Sequence, residues 1–212
     1  MSKNLIYRLV SSFFLISISI FAIIKGSIIF NILLSTVALI SVYEWYKMSL
    51  YKFYFIPGIF FLLFSFFTVF LIRNDDLYLF NFLILLFTCI LSDIGGFVFG
   101  KLFKGPKLTK ISPNKTYTGV LGSFISPVFF MIYFIEYLNF FFLTKIDFNY
   151  SFVVNLLIIS FISQIGDLIV SFFKRLSKVK DSGNIIPGHG GILDRIDGMI
   201  FAIPFSYWFN IL

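Results

Sequence analysis

The residues best suited to chemistry are concentrated between Gly166 and Gly198 of this 212-residue chain. The stretch carries five of the seventeen Lys and Arg residues, four aspartates and the only histidine. Its acidic and imidazole side chains are Asp167, Asp181, His189, Asp194 and Asp197. Carboxylate oxygens suit Mg²⁺, while lysine and arginine bind phosphate groups. The stretch therefore predicts a site for a hard cation and a phosphorylated ligand.

Two of these aspartates open the last apolar segment and are three residues apart. In a helix, this spacing points the carboxylates of Asp194 and Asp197 the same way. With Asp167 they would place two or three oxygen ligands around one cation, and magnesium fits best because it completes its shell with water and phosphate oxygens. One histidine and one cysteine, Cys89, cannot form a zinc site. Cys89 is predicted to be a small buried hydrophobe.

His189 lies within Pro-Gly-His-Gly-Gly, where the glycines permit the backbone to approach a ligand closely. The spacing favours a ligand-contacting histidine and a solvent-exposed loop histidine about equally.

A second polar segment follows the fourth apolar run. Asp93, Gly96 and Gly100 share one helix face, which predicts a close backbone contact beside a buried acid. The loop after them offers Ser112 and Lys115, whose hydroxyl and ammonium groups are suitable donors for polyphosphate. Taken alone, the segment is also consistent with an ordinary basic loop at a membrane surface.

Composition places these residues in an integral membrane protein. Hydrophobic residues make up 59% of the chain and charged residues 13%, against about 25% charged in soluble domains, and the mean hydropathy is +0.98. About 20 apolar residues are needed to cross a bilayer as a helix. This length predicts an all-α, polytopic bundle with about seven spans, at 5–24, 27–42, 53–72, 77–99, 119–143, 152–173 and 198–212.

The sixth span carries polar residues at helical spacing. They are Ser160, Ser163, Gln164, Asp167, Ser171 and Lys174. Such a stripe is expected to face the bundle interior. An ionised carboxylate at membrane depth is costly unless it is paired, hydrated or cation-bound, so Asp167 is a candidate functional residue. The alternative is a simple ion pair with a neighbouring Lys or Arg.

Basic residues indicate the orientation, because Lys and Arg remain on the cytoplasmic side. Fourteen fall on the side of the N-terminus and of the loops 100–118 and 174–197, and three fall on the other side. We therefore expect a cytoplasmic N-terminus, a C-terminus on the far side and one site at the cytoplasmic membrane surface. The net charge of +7 needs no nucleic-acid partner to explain it.

The motifs resemble a known family of membrane enzymes, the phosphatidate cytidylyltransferases or CDP-diacylglycerol synthases. The resemblance runs from about Ser92 to the end, so residues 92–212 are predicted to form the catalytic region and 1–91 N-terminal membrane helices of the same structural domain. It rests on Asp93-x-Gly95-Gly96, Ile111-Ser112-Pro113-x-Lys115-Thr116, Ser171-x-x-Lys174-Arg175, Lys180-Asp181-x-Gly183 and Pro187-Gly188-His189-Gly190-Gly191-x-x-Asp194-Arg195-x-Asp197.

The resemblance implies transfer of a cytidylyl group from CTP to phosphatidic acid, giving CDP-diacylglycerol and pyrophosphate with magnesium. It also implies a homodimer. Asp167, Asp194 and Asp197 would hold the metal, with Ser171 as a further oxygen. The cationic and hydroxyl groups expected at the phosphates are Lys174, Arg175, Lys180, Arg195, Lys115 and Ser112. Asp93 and His189 are secondary candidates, and Asp181 is expected to orient lysines.

The chain departs from the family pattern at two positions. Thr118 stands where the family has glutamate, which puts any role of that carboxylate in doubt, and Phe97 replaces a tyrosine. The chain is also expected to lack one or two N-terminal helices of longer relatives. Its scarce alanine and abundant Ile, Phe, Lys and Asn indicate an AT-rich bacterial genome, hence a bacterial plasma membrane.

Other functions fit the sequence less well. A CTP-dependent lipid kinase is the main alternative. A transporter would need polar residues that continue through several spans to the far side, whereas here they cluster at one face. A CDP-alcohol phosphotransferase would need Asp-Gly-x-x-Ala-Arg, and the sequence after Asp197-Gly198 lacks the rest of that pattern.

Overall fold

A computed structural model of the chain describes residues 16–75, 78–109, 112, 115–142, 146–185 and 190–211. Regular structure within these residues is helical, apart from an isolated antiparallel bridge between Lys107 and Thr116. The helices are α1 (Ile16–Lys25), α2 (Ser27–Ser49), α3 (Phe55–Asn74), α4 (Leu79–Phe103), α5 (Tyr117–Phe142), α6 (Tyr150–Leu176), α7 (Leu193–Ile196) and α8 (Met199–Trp208). Five of them, α2 to α6, are long and apolar enough to cross a membrane. The predicted all-α polytopic membrane fold is confirmed.

The helix boundaries differ from the predicted spans at several ends. The span predicted at 27–42 continues to Ser49, because a helix does not stop where hydropathy falls. Conversely, α8 covers ten residues of the span predicted at 198–212. Ten helical residues extend about 15 Å, half of the roughly 30 Å hydrocarbon core. Helix α8 alone is shorter than the predicted seventh span, but the backbone is also helical at Ile192, Asp197 and Gly198, so α7 and α8 form one nearly continuous helical segment. Helix α8 packs against α3 and α6. Most of the first predicted span lies outside the described residues.

The bundle has two distinct ends. At the first, which we call the site end, the Tyr54 and Ser177 hydroxyls hydrogen-bond at 2.8 Å and connect the start of α3 to the end of α6. At the other, the Arg73 guanidinium donates to the Ile23 carbonyl oxygen at 2.8 Å. Both loops predicted to share one membrane face, 100–118 and 174–197, join helices at the site end.

The core between these ends is apolar. One cluster joins α2, α3, α4, α6 and α8 and includes Cys89, which is fully buried, as predicted. Its buried members are Phe30, Ile72, Phe82, Leu85, Cys89, Ile159, Ala202 and Ile203. A second cluster, nearer the site end, holds Trp45, Met48, Tyr54, Leu62, Phe66, Val170, Leu193 and Ile200.

Helices α4 and α5 pack backbone to backbone through small residues. A Cβ atom on Gly95 would collide with the Ser126 hydroxyl and the Gly122 carbonyl oxygen of α5. Ser126 in turn donates to the Leu91 carbonyl oxygen at 2.5 Å. One turn away, Gly119 would similarly meet the Gly96 carbonyl oxygen at 2.8 Å. The predicted close backbone contact is thus present. Asp93 itself is exposed rather than buried as predicted, because the residues that pack against α5 are the glycines that follow it.

Alanine at Gly95 is therefore expected to destabilise the protein by about 1–3 kcal/mol through overpacking. The neighbouring Gly96→Ala variant is the matched control, because its nearest non-local atom would lie at 3.6 Å, an ordinary contact. Alanine at Gly96 should leave the stability unchanged or raise it, because alanine is favoured over glycine in a helix interior. Thermal unfolding in detergent measures both, and equal melting temperatures for the two variants would contradict the packing.

Candidate active site

The polar stripe of α6 faces the bundle interior, as predicted. Ser160 and Ser163 are 0% and 1% exposed, and Ser171 and Lys174 are each 7% exposed. Asp167 lies between them and is half-buried. A sequence that places these groups three and four residues apart thus directs them all toward the neighbouring helices rather than toward lipid.

Asp167 connects α6 to the loop before α5. The Lys115 ammonium, from the loop before α5, lies 2.5 Å from one carboxylate oxygen of Asp167. The Ser171 hydroxyl donates to the other at 3.2 Å, one helical turn further along α6. Lys115 also donates to the Gln164 side-chain oxygen at 3.3 Å. The ion pair weighed as an alternative for Asp167 is therefore present, and it joins residues from both predicted site segments.

Asp93, Asp167 and Asp197 form what we call the acid cluster. Asp93 comes from α4, Asp167 from α6 and Asp197 from the turn before α8. Burial raises the pKa of Asp197 well above its ordinary value, and the nearby Asp167 carboxylate raises it further, although Lys174 opposes the shift. Since neighbouring like charges disfavour full ionisation, the carboxylates of the cluster act on one another electrostatically.

Lys174 places one positive charge between two of the aspartates. Its ammonium is 2.8 Å from one oxygen of Asp194 and 3.9 Å from one oxygen of Asp197. Only 9% of its side chain is exposed. The two carboxylates predicted to point the same way do both face Lys174.

Asp194 is held by the loop that surrounds it. Its second oxygen accepts the backbone N–H groups of Ser182 at 2.8 Å and Gly191 at 3.0 Å. Burial acts to raise the pKa of Asp194, but the hydrogen bond and charge of Lys174 and these two N–H donors outweigh it and lower the pKa. Both oxygens therefore have protein donors, and the ionised carboxylate organises the loop.

The other predicted phosphate-binding residues line the edge of this centre. Arg175, Lys180, Asp181 and Arg195 are exposed. Arg175 donates to the Val179 carbonyl oxygen at 2.9 Å. These groups are thus exposed, whereas Lys174 is buried and Lys115 is half-buried.

Two predicted residues do not contribute a described side chain to the centre. Ser112 is half-buried, and its backbone forms the turn before Lys115, accepting the N–H of Lys115 at 3.1 Å. His189 lies outside the described residues, together with Pro187 and Gly188. Its predicted role stays a prediction.

Thr118, at the position where the family pattern has glutamate, supports the loop before α5. The Thr118 hydroxyl accepts the Gly105 N–H at 3.3 Å and hydrogen-bonds the Thr116 hydroxyl at 3.0 Å. Leu108 donates to the Lys115 carbonyl oxygen at 2.8 Å. The threonine therefore closes a compact loop that directs Lys115 toward Asp167.

The structure adds one acid that sequence reasoning missed, Glu44 in α2. It is 1% exposed, and its carboxylate accepts hydrogen bonds from the loop that holds Asp194. The sequence did contain an indication of this residue, because Glu44 is the only acidic residue between Ser27 and Pro57. A lone carboxylate at membrane depth requires a partner.

The donor chemistry of the acid cluster fits magnesium. Carboxylate and hydroxyl oxygens are the ligands this ion prefers, and it is usually held by one or two carboxylates together with water and substrate phosphates. No group of three acidic, histidine or cysteine side chains in the described part of the chain is arranged to enclose a metal by itself. Instead, the ammonium groups of Lys115 and Lys174 lie against the carboxylates.

Fold and site together define a polytopic membrane protein with an acid and lysine centre at one end of its bundle. The profile of the Cytidylyltransferase family matches residues 58–212. The chain is 36% identical over 227 residues to a phosphatidate cytidylyltransferase of Rickettsia prowazekii and 37% identical over 226 residues to that of Rickettsia typhi, covering 99% of this chain and 93% of each relative.

A third relative, the phosphatidate cytidylyltransferase of Brucella suis, is 36% identical over 155 residues, which are 72% of this chain and 55% of that protein. On these matches, the chain belongs to the cytidylyltransferase family.

Proposed function

We propose that this protein is a phosphatidate cytidylyltransferase, which transfers the cytidylyl group of CTP to phosphatidic acid and releases pyrophosphate. The observation that carries the proposal is the contact of Lys115 with Asp167 and of Lys174 with Asp194 beside the acid cluster. Such a centre can bind two phosphorylated substrates at the end of a membrane bundle. The names of the full-length relatives support the same reaction.

In the proposed reaction, an oxygen of the lipid phosphate attacks the α-phosphorus of CTP. A new P–O bond forms as the bond from the α-phosphorus to the pyrophosphate oxygen breaks. No covalent enzyme intermediate is needed, so catalysis consists of positioning and charge stabilisation. The ammonium groups of Lys115 and Lys174 each have three N–H donors. Each can therefore donate to a phosphate oxygen as well as to its carboxylate partner.

We assign the two substrates to different parts of the centre. Arg175, Lys180 and Arg195 are exposed and would meet the triphosphate of a soluble nucleotide. Lys115 and Lys174 are more deeply placed and would contact the reacting phosphates. Phosphate binding by a fork of arginine donors and by lysine point charges is the ordinary use of these side chains.

Magnesium is proposed as the cofactor, with Asp167 and Asp197 as its protein ligands and Ser171 as a further oxygen. When bound, it supplies positive charge to the phosphates of CTP and lowers the repulsion between nucleotide and lipid phosphate. Asp194 was predicted as a ligand too. Because two backbone N–H groups hold one of its oxygens and Lys174 holds the other, we assign it the task of holding Lys174 and the loop. The donors to Asp167 are side chains, of Lys115 and Ser171, which can turn toward a bound phosphate.

We further propose that the site end faces the cytoplasm of a bacterial cell, with the protein in the plasma membrane and its N-terminus on the cytoplasmic side. The excess of basic residues in the loops at this end supports that orientation. A homodimer is proposed from the resemblance to the family.

The test is transfer of label from CTP to lipid by purified protein in detergent with phosphatidic acid and magnesium. Label from the α-phosphate should enter a CDP-lipid, with one pyrophosphate released for each lipid formed. Chelation of magnesium should stop the reaction. Transfer of label only from the γ-phosphate would instead identify a lipid kinase, and no transfer from either position would refute both activities.

A further inference from the structure

Glu44 accepts three hydrogen bonds from the loop between α6 and α7. One of its oxygens accepts the N–H of Ile192 at 3.0 Å, and the other accepts the N–H of Leu193 at 2.9 Å and the Ser182 hydroxyl at 2.8 Å. Glu44 lies in the fifth turn of α2, more than 130 residues away in sequence. Its carboxylate therefore links an N-terminal helix to the site loop.

The loop leaves space for this carboxylate by using glycine. A Cβ atom on Gly183 would lie 2.6 Å from a Glu44 oxygen, and one on Gly191 would collide with both Glu44 oxygens and the Ser182 hydroxyl. Larger residues at either position would displace the carboxylate. Two glycines and three donors thus surround one buried acid.

The same loop residues hold Asp194. Ser182 gives its hydroxyl to Glu44 and its backbone N–H to Asp194. Gly191 packs against Glu44 and donates its N–H to Asp194. Asp194 then binds the Lys174 ammonium at 2.8 Å. Displacing Glu44 would release the donors that set the direction of the Asp194 carboxylate.

An aromatic contact joins α2 to α6 at this level. The ring of Trp45, next to Glu44, packs edge-on against Phe173 with centroids 5.4 Å apart and against Tyr54 with centroids 6.0 Å apart. Phe173 precedes Lys174 in α6. The carboxylate thus projects from a helix that contacts α6 at the residue before Lys174.

We propose that Glu44 is a positioning residue for the Lys174–Asp194 pair, acting from the N-terminal helices on the catalytic loop. The proposal rests on the cytidylyl transfer proposed above. It assigns a role in the reaction to the N-terminal region, which contains none of the sequence motifs described above.

The test compares Glu44→Gln with Ser41→Ala in the full-length protein in detergent. Glutamine keeps the size of the side chain but replaces one acceptor oxygen with an NH₂ group that faces donors. Ser41 is the matched control, since it is a fully buried polar residue of α2 whose hydroxyl bonds only the Val37 carbonyl of its own helix among the described contacts.

Hydrogen–deuterium exchange is the first readout. In Glu44→Gln, amides of residues 182–185 and 190–193 should exchange about tenfold faster or more, as expected for a loop that opens locally, while amides of α4 and α5 keep their rates. Ser41→Ala should match the wild type throughout. Unchanged loop exchange in Glu44→Gln, or faster exchange across the whole bundle, would overturn a local positioning role.

Steady-state kinetics is the second readout. Misplacing Lys174 should lower kcat by about 10- to 100-fold. KM for CTP should change by a smaller factor, because Arg175 belongs to α6 rather than to the loop that Glu44 holds. A wild-type kcat despite a loosened loop would refute the proposal. If the wild type itself transfers no label, the proposed function fails, and the exchange result alone decides whether Glu44 orders the loop.

If the Glu44→Gln variant does not fold, Ser182→Ala provides a second test. It removes one donor and leaves the two N–H bonds to Glu44, so loop exchange and kcat should change in the same direction by a smaller factor. No change in either quantity would count against the proposal.

Discussion

Replacing Asp167 with Asn is expected to abolish cytidylyl transfer, with a loss of at least about 10²- to 10³-fold in kcat. Asn keeps the size of the side chain and still offers one oxygen, but it removes the negative charge that holds Lys115 at 2.5 Å. It also removes a proposed magnesium ligand. The measurement is label transfer at saturating CTP and phosphatidic acid over a range of magnesium concentrations.

The variant should still insert and fold, because α6 keeps its apolar faces and the rest of its buried polar stripe. Asp147→Asn is the control for the substitution itself, since Asp147 is exposed in the segment before α6, away from the site end. A folded Asp167→Asn protein with near-normal turnover would exclude Asp167 from the chemistry.

The second large effect is expected from Lys174→Met. Methionine retains much of the aliphatic length but leaves the carboxylates of Asp194 and Asp197 without their shared cation. Removing one partner of a buried ion pair costs about 3–5 kcal/mol, and the side chain of Lys174 is only 9% exposed. We therefore expect a lower melting temperature together with a loss of turnover of at least about 100-fold.

Lys101→Met separates this effect from a general loss of positive charge. Lys101 is exposed in the last turn of α4 on the same end of the bundle, with its ammonium 5.8 Å from the centroid of the Phe97 ring. It should keep wild-type stability and turnover. Equal losses in the two variants would indicate that only the net charge of the surface matters.

Much of the site could be predicted because its residues obey helical periodicity. The stripe from Ser160 to Lys174 is buried as expected, since groups three and four residues apart on a helix share one face. The two basic loops meet at one end because spans alternate in direction. Asp167 and Lys115 therefore come together although 51 positions of sequence, mostly apolar helix, separate them.

Individual partners could not be predicted, because they depend on atoms that meet across helices. Sequence spacing alone left open that Lys174 would bind Asp194 rather than Asp167, which lies about two turns away on its own helix. Asp194 was grouped with Asp167 by residue type, whereas loop N–H groups and Lys174 occupy its oxygens. The break between α7 and α8 could not be predicted either, because apolar composition does not show where a helix is interrupted.

By itself, the sequence determined the membrane class, the helical fold, the end of the bundle that carries the basic loops and the residue types of the site. These properties follow from hydropathy, charge counting and helical periodicity, which depend on near neighbours in the chain. Only the tertiary structure decided which acids meet and that Glu44 holds the site loop. A carboxylate on α2 can accept N–H groups of residues 192 and 193 only after the helices have packed, because the contact spans 148 positions and has no local pattern.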